Sequence, residues 1–178
     1  MRQALRFPVE YRAWGDGELE VTFEALAIPP RHELVSSVFG WVFHGDELLL
    51  VRQRERGWNL PGGPRQPGET FRQTLARAAW KEAGALLEST RLIGAVRSTN
   101  RGPDNRQSPG AGPVSYTVCC LTEVRELLPF SAEFEADDRI LIEPRLISKY
   151  VQHWSPLMDE MLEFARAVRA SSPVEALA

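Results

Sequence analysis

The sequence is poor in cysteine, in histidine and in long hydrophobic runs, and each shortage excludes a class of protein. Its two cysteines, Cys119 and Cys120, are adjacent inside an apolar run, so they provide neither metal-ligand spacing nor a disulfide framework. Its three histidines fall in no motif, and residue order indicates no Ser-His-Asp or Cys-His arrangement. No stretch approaches membrane-spanning length, and the N-terminus lacks the apolar core of a signal peptide. We therefore expect a cytoplasmic protein with no membrane partner.

The chain also lacks a strong excess of charge of either sign. It has 21 Lys and Arg against 24 Asp and Glu, a formal net charge of -3. This balance gives no electrostatic reason to expect duplex nucleic acid as a partner. At 178 residues, with no internal repeat and no boundary signal, the length predicts one domain over 1–178.

The first half of the chain predicts two hairpins that lead into a glycine-rich loop and a helix. A Gly-Asp-Gly turn with β-branched and aromatic residues on both sides predicts an N-terminal hairpin within 1–30. A second hairpin is predicted from the strand-like residues 34–43 and 48–53. The later elements are strands over 85–98, 114–124 and 140–143, and a C-terminal amphipathic helix over 155–170. A long loop over 98–113, rich in Gly, Pro, Asn and Ser, interrupts the strands and is of the kind that is functional or disordered.

Residues 57–85 read GWNLPGGPRQPGETFRQTLARAAWKEAGA and predict a loop followed by a capped helix. Thr70 and Gln73 have capping-box spacing, in which the hydroxyl and the amide each bond a free backbone N–H. Gly84 suits the left-handed position just past a helix end. A four-residue repeat predicts the buried stripe of this helix, which consists of Phe71, Leu75, Ala79 and Ala83.

This segment resembles the Nudix box, in which glycine, glutamate, arginine, glutamate and glycine recur at fixed spacing through a loop, a helix and a second loop. The matching residues are Gly63, Glu69, Arg77, Glu82 and Gly84. The preceding WNLPGG, residues 58–63, also resembles the usual entry to that box. The resemblance implies an α/β (α+β) fold, an αβα sandwich around a mixed β-sheet, with its core over 34–147. It also implies an enzyme that hydrolyses the pyrophosphate of a nucleoside diphosphate derivative with Mg²⁺ or Mn²⁺.

The sequence departs from the Nudix pattern at two of the three carboxylates on the helix. Ala78 and Lys81 stand where the pattern has glutamates, and Glu82 alone is retained. The formal charge of the three positions changes from -3 to 0, because Ala contributes 0, Lys +1 and Glu -1. Each unit charge acting on a dication at ~4 to 6 Å is worth several kcal/mol before screening, so we expect cation affinity to fall by orders of magnitude unless other ligands compensate.

The resemblance assigns the catalytic roles to Glu82, Glu69 and Arg77, with Arg77 expected to brace Glu82 through a salt bridge. For the metal it implies Glu82, with Glu69 and a backbone carbonyl at Gly63 as compensating ligands. The acidic run before the last strand supplies candidates for an additional acid, which are Glu133, Glu135 and Asp137. An acidic run in a loop is also typical of a solvated face.

Four residues are candidates for contacting a nucleotide-type substrate: Lys81, Arg97, Arg101 and Trp58. The guanidiniums would bind phosphate oxygens and the indole would stack on a base. Each has a second interpretation. Lys81 is also consistent with a helix lysine that interacts favourably with the macrodipole, and the arginines are also consistent with a solvated loop. Tryptophans beside a strand are more often core residues.

Three functions therefore remain open, and the first is the leading hypothesis. It is a metal-dependent Nudix-type hydrolase working with a depleted set of carboxylates. The alternative is a nucleotide-binding or sensing module that keeps the pocket without turnover. A third hypothesis is a structural or oligomerisation domain that has lost the ligand as well. Unpaired edges of the N-terminal strands also predict a homodimer.

Overall fold

The computed structural model describes residues 7–102, 112–131 and 134–171 and contains ten strands and two helices over those residues. The strands are β1 Glu10–Trp14, β2 Gly17–Ala25, β3 Val35–His44, β4 Glu47–Gln53, β5 Gly57–Asn59, β6 Gly62–Pro64, β7 Ala85–Leu87, β8 Arg91–Asn100, β9 Val114–Leu127 and β10 Asp138–Ile142. The helices are α1 Phe71–Ala83 and α2 Pro156–Ala170, and two 3-10 turns cover His32–Leu34 and Pro144–Lys149. Residues 103–111 of the predicted long loop lie outside the described residues.

The sheet is mixed, as predicted. Its strand order is β1-β2-β8-β9-β3-β4-β10, and β3 and β9 run parallel while the other neighbours in that order are antiparallel. The short strands attach to this path, β5 to β4, β6 to β3 and β7 to β9. The N-terminal hairpin ends the order with β1 at an edge, and the homodimer stays a prediction.

The two helices cover opposite faces of the sheet, which confirms the αβα sandwich. Side chains alternate between faces along a strand. On β3, Trp41 and Phe43 pack in one cluster with Leu157 and Met161 of α2. Val42, from the other face of β3, packs with the alanines of α1. Neither helix in the described residues is long and apolar enough to cross a membrane.

The loop-helix-loop forms with the ends that its sequence predicts. Thr70 and Gln73 make both bonds of the capping box, and Gly84 ends α1 at φ 60°. Leu75 and the two alanines of the predicted stripe are fully buried, while Phe71 is only partly buried. The buried face is broader than the stripe, because Thr74, Ala78 and Glu82 are buried as well.

Candidate functional site

Glu69 is fixed by a network inside the loop that precedes α1. Its Oε1 accepts from Nε of Arg77 at 2.6 Å, and its Oε2 accepts from Nη2 of Arg77 at 2.9 Å. The same Oε2 accepts from the Thr74 hydroxyl at 2.9 Å and from the Gln66 N–H at 3.0 Å. The hydrogen bond from Arg77 is the main cause that lowers the pKa of Glu69 to about 2. Glu69 is therefore an ionised structural group that ties the loop to the helix.

The prediction of a salt bridge between Arg77 and Glu82 is wrong, because the guanidinium of Arg77 pairs with Glu69 instead. Its Nη2 also donates to the Pro64 carbonyl at 2.9 Å. The physical reason is helical geometry. Residues five apart on an α-helix lie roughly 140° apart around its axis, whereas Glu69 precedes the helix and folds back over its first turn.

Glu82 is buried, with 4% of its surface exposed. Its Oε1 accepts from Nε2 of Gln53 at 2.5 Å, and its Oε2 accepts from the N–H of Gly62 at 3.1 Å. Burial raises the pKa of Glu82 to about 7, and nearby Glu135 acts in the same direction. The two hydrogen bonds stabilise the ionised form and oppose that rise, without cancelling it.

The other two carboxylate positions of the box hold no cation ligand. Ala78 is buried and has no donor atom. Lys81 points its ammonium at Glu135, with Nζ 3.0 Å from Oε1, and the Glu135 N–H donates to the Lys81 carbonyl at 2.8 Å. Across the described residues, no group of three or more His, Cys, Asp or Glu is arranged to hold a metal ion. The chain therefore does not fit the three-carboxylate cluster that the resemblance implies.

The described candidate acids before β10 form ion pairs with basic side chains of α1 and β4. Glu135 pairs with Lys81, and Asp137 accepts from Nε of Arg52 at 3.0 Å. Asp138 lies 3.7 Å from the same guanidinium. Glu133 lies outside the described residues. The ion pair of Glu135 thus connects the loop before β10 to α1, and the ion pair of Asp137 connects it to β4.

Two of the four candidate substrate contacts, Arg97 and Arg101, lie in β8 and just after it, whereas Lys81 lies on α1 and Trp58 on β5. Arg97 reaches Glu24 at 4.0 Å, and Arg101 donates to Glu20. Trp58 packs against the core, with the Arg52 guanidinium 5.5 Å from its ring centroid. Together with Lys81 these side chains are already engaged with other parts of the protein, and their roles in binding stay predictions.

A cleft of about 390 Å³ lies beside the box loop. It is lined by Ser37, Val38, Phe39, Gln53, Arg56, Asn59, Leu60, Gly62, Gly63, Pro64 and Thr117. Gln53 and Gly62 are the two residues that bond Glu82, so the buried carboxylate lies directly behind the cleft wall. At Gly62 a side chain would collide with the backbone of β3, whereas at Gly63 a Cβ would meet nothing within 4 Å. The space beside Gly63 is therefore open to the cleft.

A larger groove of about 870 Å³ lies between α2 and the β3–β4 turn, and it shares no residue with the cleft. Arg169 fills part of it and pairs with Glu123 at 2.6 Å, while Arg166 pairs with Glu163 at 2.9 Å. We place the candidate site in the smaller cleft, because that cleft adjoins the box loop and Glu82.

The sequence interpretation did not include Gln53, Arg56 and Asn59, which reach the cleft from β4, the following turn and β5. Arg56 is exposed, and its charge lowers the pKa of Glu82. The available signal was the polar run Gln-Arg-Glu-Arg between the second hairpin and the WNLPGG motif, since turns that adjoin a binding loop often carry binding residues.

A family model described as NUDIX domain matches residues 33–165. A curated relative, a MutT-like protein of Streptomyces ambofaciens, is 40% identical over 76 residues, which are 42% of this chain and 48% of that protein. The chain therefore spans about half the length of the curated relative that it matches.

Solved structures with a similar fold include a pyrophosphohydrolase of Bacillus subtilis, with TM-score 0.63 and 20% identity, covering 89% of this chain and 94% of that one. The Nudix domain of a Shewanella oneidensis protein, in complex with ADP-ribose, has TM-score 0.56 and 17% identity and covers 76% of this chain and 88% of that one. At these identities the likeness establishes the fold and no more.

Proposed function

The chain belongs to the NUDIX domain family, whose model matches most of its length, and from this premise we propose that it hydrolyses the pyrophosphate of a nucleoside diphosphate derivative. The observation that carries the proposal is the position of Glu82. The one carboxylate that the sequence retains of the three on the box helix is held behind a cleft, by two residues that line that cleft. The loop and caps that present it are intact.

The size of the cleft supports a small-molecule substrate. Ligand pockets typically measure ~300 to 1,000 Å³, and this cleft of about 390 Å³ falls in that range. Its wall combines the apolar side chains of Phe39 and Leu60 with hydroxyl and amide groups. Such a mixture suits a nucleoside with an attached phosphate group. The ADP-ribose bound by the Shewanella oneidensis relative belongs to that chemical class.

We infer that a single divalent cation, shared with the substrate, would be held at Glu82. Glu82 would provide one carboxylate ligand, since Mg²⁺ often uses one or two carboxylates and completes its shell with waters and substrate phosphates. The pKa of Glu82 is raised mainly by burial, and a cation would favour its ionised form. When bound, Mg²⁺ or Mn²⁺ would neutralise charge that develops on phosphate oxygens. A carbonyl of Gly63 remains a candidate ligand, whereas Glu69 is committed to Arg77.

A second candidate function, nucleotide binding without turnover, is favoured by Lys81. Its ammonium stands at a position that the box uses for a carboxylate, and it neutralises Glu135. Any cation beside Glu82 would therefore meet one carboxylate, because Glu135 is already paired with Lys81. Such a site would retain the cleft and bind its ligand more readily than it would turn it over.

Turnover of a panel of nucleoside diphosphate derivatives, with and without Mg²⁺ or Mn²⁺, tests the proposal. Glu82→Gln is the test variant, and Glu47→Gln is the matched control, because Glu47 is exposed on β4 and does not line the cleft. We expect metal-dependent turnover in the parent and in Glu47→Gln, and its loss in Glu82→Gln. Ligand-induced thermal stabilisation without turnover would identify the binding module instead. The absence of both turnover and stabilisation would contradict both functions.

A further inference from the structure

Arg56 is the only residue with a charged side chain among the described residues that line the cleft. It is exposed, and its guanidinium makes no ion pair or hydrogen bond with any described residue. Other arginines near the box differ, because Arg52 and Arg77 are held by carboxylates. The cleft therefore presents one cation whose donors are unused.

The backbone that carries Arg56 is fixed by its neighbours. The Arg56 N–H donates to the Gln53 carbonyl at 3.1 Å and closes the turn between β4 and β5. Gly57 continues the turn at φ 70°, a conformation that favours glycine. Asn59 then donates from Nδ2 to the carbonyls of Arg56 and Gly57, at 3.2 and 3.1 Å. Only the side chain of Arg56 would have to be ordered on binding, which keeps the entropic cost low.

Resting on the proposed function and naming its ligand contact, we propose that Arg56 binds the phosphate oxygens of an organic phosphate or pyrophosphate in this cleft. A guanidinium presents paired N–H donors that match two oxygens of a phosphate group. Lys81 is not available for this task, because its ammonium is paired with Glu135. The loss of two box carboxylates weakens the recruitment of a cation, so a protein cation that faces the ligand supplies the complementary charge.

The same turn provides a matched control residue. Arg54 lies two residues before Arg56, is exposed to solvent and carries the same charge, but it does not line the cleft. A general electrostatic attraction would involve Arg54 and Arg56 equally. Direct contact with the ligand would involve Arg56 alone.

Calorimetric titration of the full chain in EDTA separates these possibilities without turnover. The ligands are ADP, inorganic pyrophosphate and adenosine, and the variants are Arg56→Ala, Arg56→Lys and Arg54→Ala. For ADP and pyrophosphate we expect Arg56→Ala to weaken binding by on the order of tenfold to a hundredfold, the range for a lost charge-assisted hydrogen bond. Arg56→Lys should fall between the parent and Arg56→Ala, and Arg54→Ala should stay within about twofold of the parent.

Adenosine identifies the part of the ligand that Arg56 contacts. Its affinity should be the same for the parent and Arg56→Ala, because it carries no phosphate. Unchanged ADP and pyrophosphate binding in Arg56→Ala would overturn the inference and leave the proposed hydrolysis in place. If the parent binds neither anion, the inference is also overturned, and the turnover panel decides separately whether the proposed function fails with it. Unfolding midpoints of the variants exclude misfolding as the cause.

Discussion

At the scale of single residues, Glu82 combines burial with two hydrogen bonds, and the opposing effects make its ionisation depend on pH near neutrality. Burial raises the pKa of Glu82 from 4.5 to about 7. The folded protein therefore binds a proton at Glu82 more tightly than the unfolded chain does. This contribution to stability is fully present below the unfolded pKa, and it is lost as pH rises from about 4.5 to about 7.

The first prediction concerns Glu82→Gln, which cannot ionise. In EDTA, the free energy of unfolding of the parent should fall relative to that of the variant between pH 4.5 and 7, by on the order of 3 kcal/mol. Urea unfolding at several pH values measures this difference. The test uses the change with pH and not the absolute stability of the variant. The side-chain amide of a glutamine has only one oxygen, so it cannot replace both carboxylate oxygens that accept from Gln53 and Gly62. A difference that stays constant across this pH range would contradict the shifted pKa.

The sequence identifies the residues of the box but not the partners that fix their chemistry. Gln53 bonds Glu82 across 29 positions of sequence, and no local pattern predicts such a contact. The expected pairing of Arg77 with Glu82 was wrong for a reason already present in the sequence, since the two residues lie on different sides of α1. The spacing of the box predicts where on the helix Glu82 lies. Its pKa depends on burial and on Gln53 and Gly62, which only the folded chain brings next to it.

At the scale of elements, the ends of α1 follow from local chemistry. Thr70 with Gln73 at one end and Gly84 at the other predict the helix to within one residue. The short strands β5 and β6 were not predicted, because each has three residues and Pro61 lies between them. Pairing with β4 and β3 creates these strands, and such tertiary pairing leaves no periodic signal in three residues.

The second prediction uses the glycine that ends α1. Gly84→Ala should destabilise the protein by more than Gly68→Ala, although both residues have positive φ. A Cβ at Gly68 meets nothing within 4 Å, so that variant measures the backbone cost alone, about 1 kcal/mol. A Cβ at Gly84 would overlap the ring of Phe134, which adds a steric cost. Equal losses in urea unfolding would mean that the ring moves away freely.

The third prediction concerns the face of α1. Lys81→Glu places a carboxylate beside Glu82 and Glu135, so the variant should be less stable than the parent in EDTA and should be restored by Mn²⁺. Its Mn²⁺ affinity should exceed that of Lys81→Gln by on the order of tenfold, because a full negative charge attracts the dication. Thermal unfolding with and without Mn²⁺ gives this comparison.

A companion variant tests whether Glu135 takes part in that gain. Glu135→Gln combined with Lys81→Glu should lose most of the gain in Mn²⁺ affinity. If Lys81→Glu and Lys81→Gln respond equally to Mn²⁺, a carboxylate at position 81 adds nothing to cation binding, and the expected gain is wrong.

At the scale of the whole molecule, the resemblance predicts the αβα layers, because the box fixes a loop-helix-loop between strands. The arrangement of charges between distant segments could not be predicted in the same way. Arg52 meets Asp137 and Asp138 only because β4 and β10 are antiparallel neighbours. Asp137, which the sequence offers as a candidate additional acid, and Asp138 therefore form ion pairs that join the segment at the start of β10 to β4.

The C-terminal end of α1 is bonded to distant segments of the chain. Helices normally leave their last carbonyls to caps or water. Here the carbonyl of Lys81 accepts from the Glu135 N–H, and that of Gly84 accepts from the Leu128 N–H. Arg139 from β10 donates to the carbonyls of Ala83 and Leu128. The helix end, the end of β9 and the start of β10 are thus joined by hydrogen bonds.

The consequence is that this region should open as one cooperative unit. In native-state hydrogen exchange, the amides of Leu128 and Glu135 should share the opening free energy and denaturant dependence of the last turn of α1. Exchange of these two amides at the rate of exposed loop amides would contradict this expectation. A cation that binds at Glu82 should then slow exchange at Leu128, far along the sequence from the box, without any contact between them.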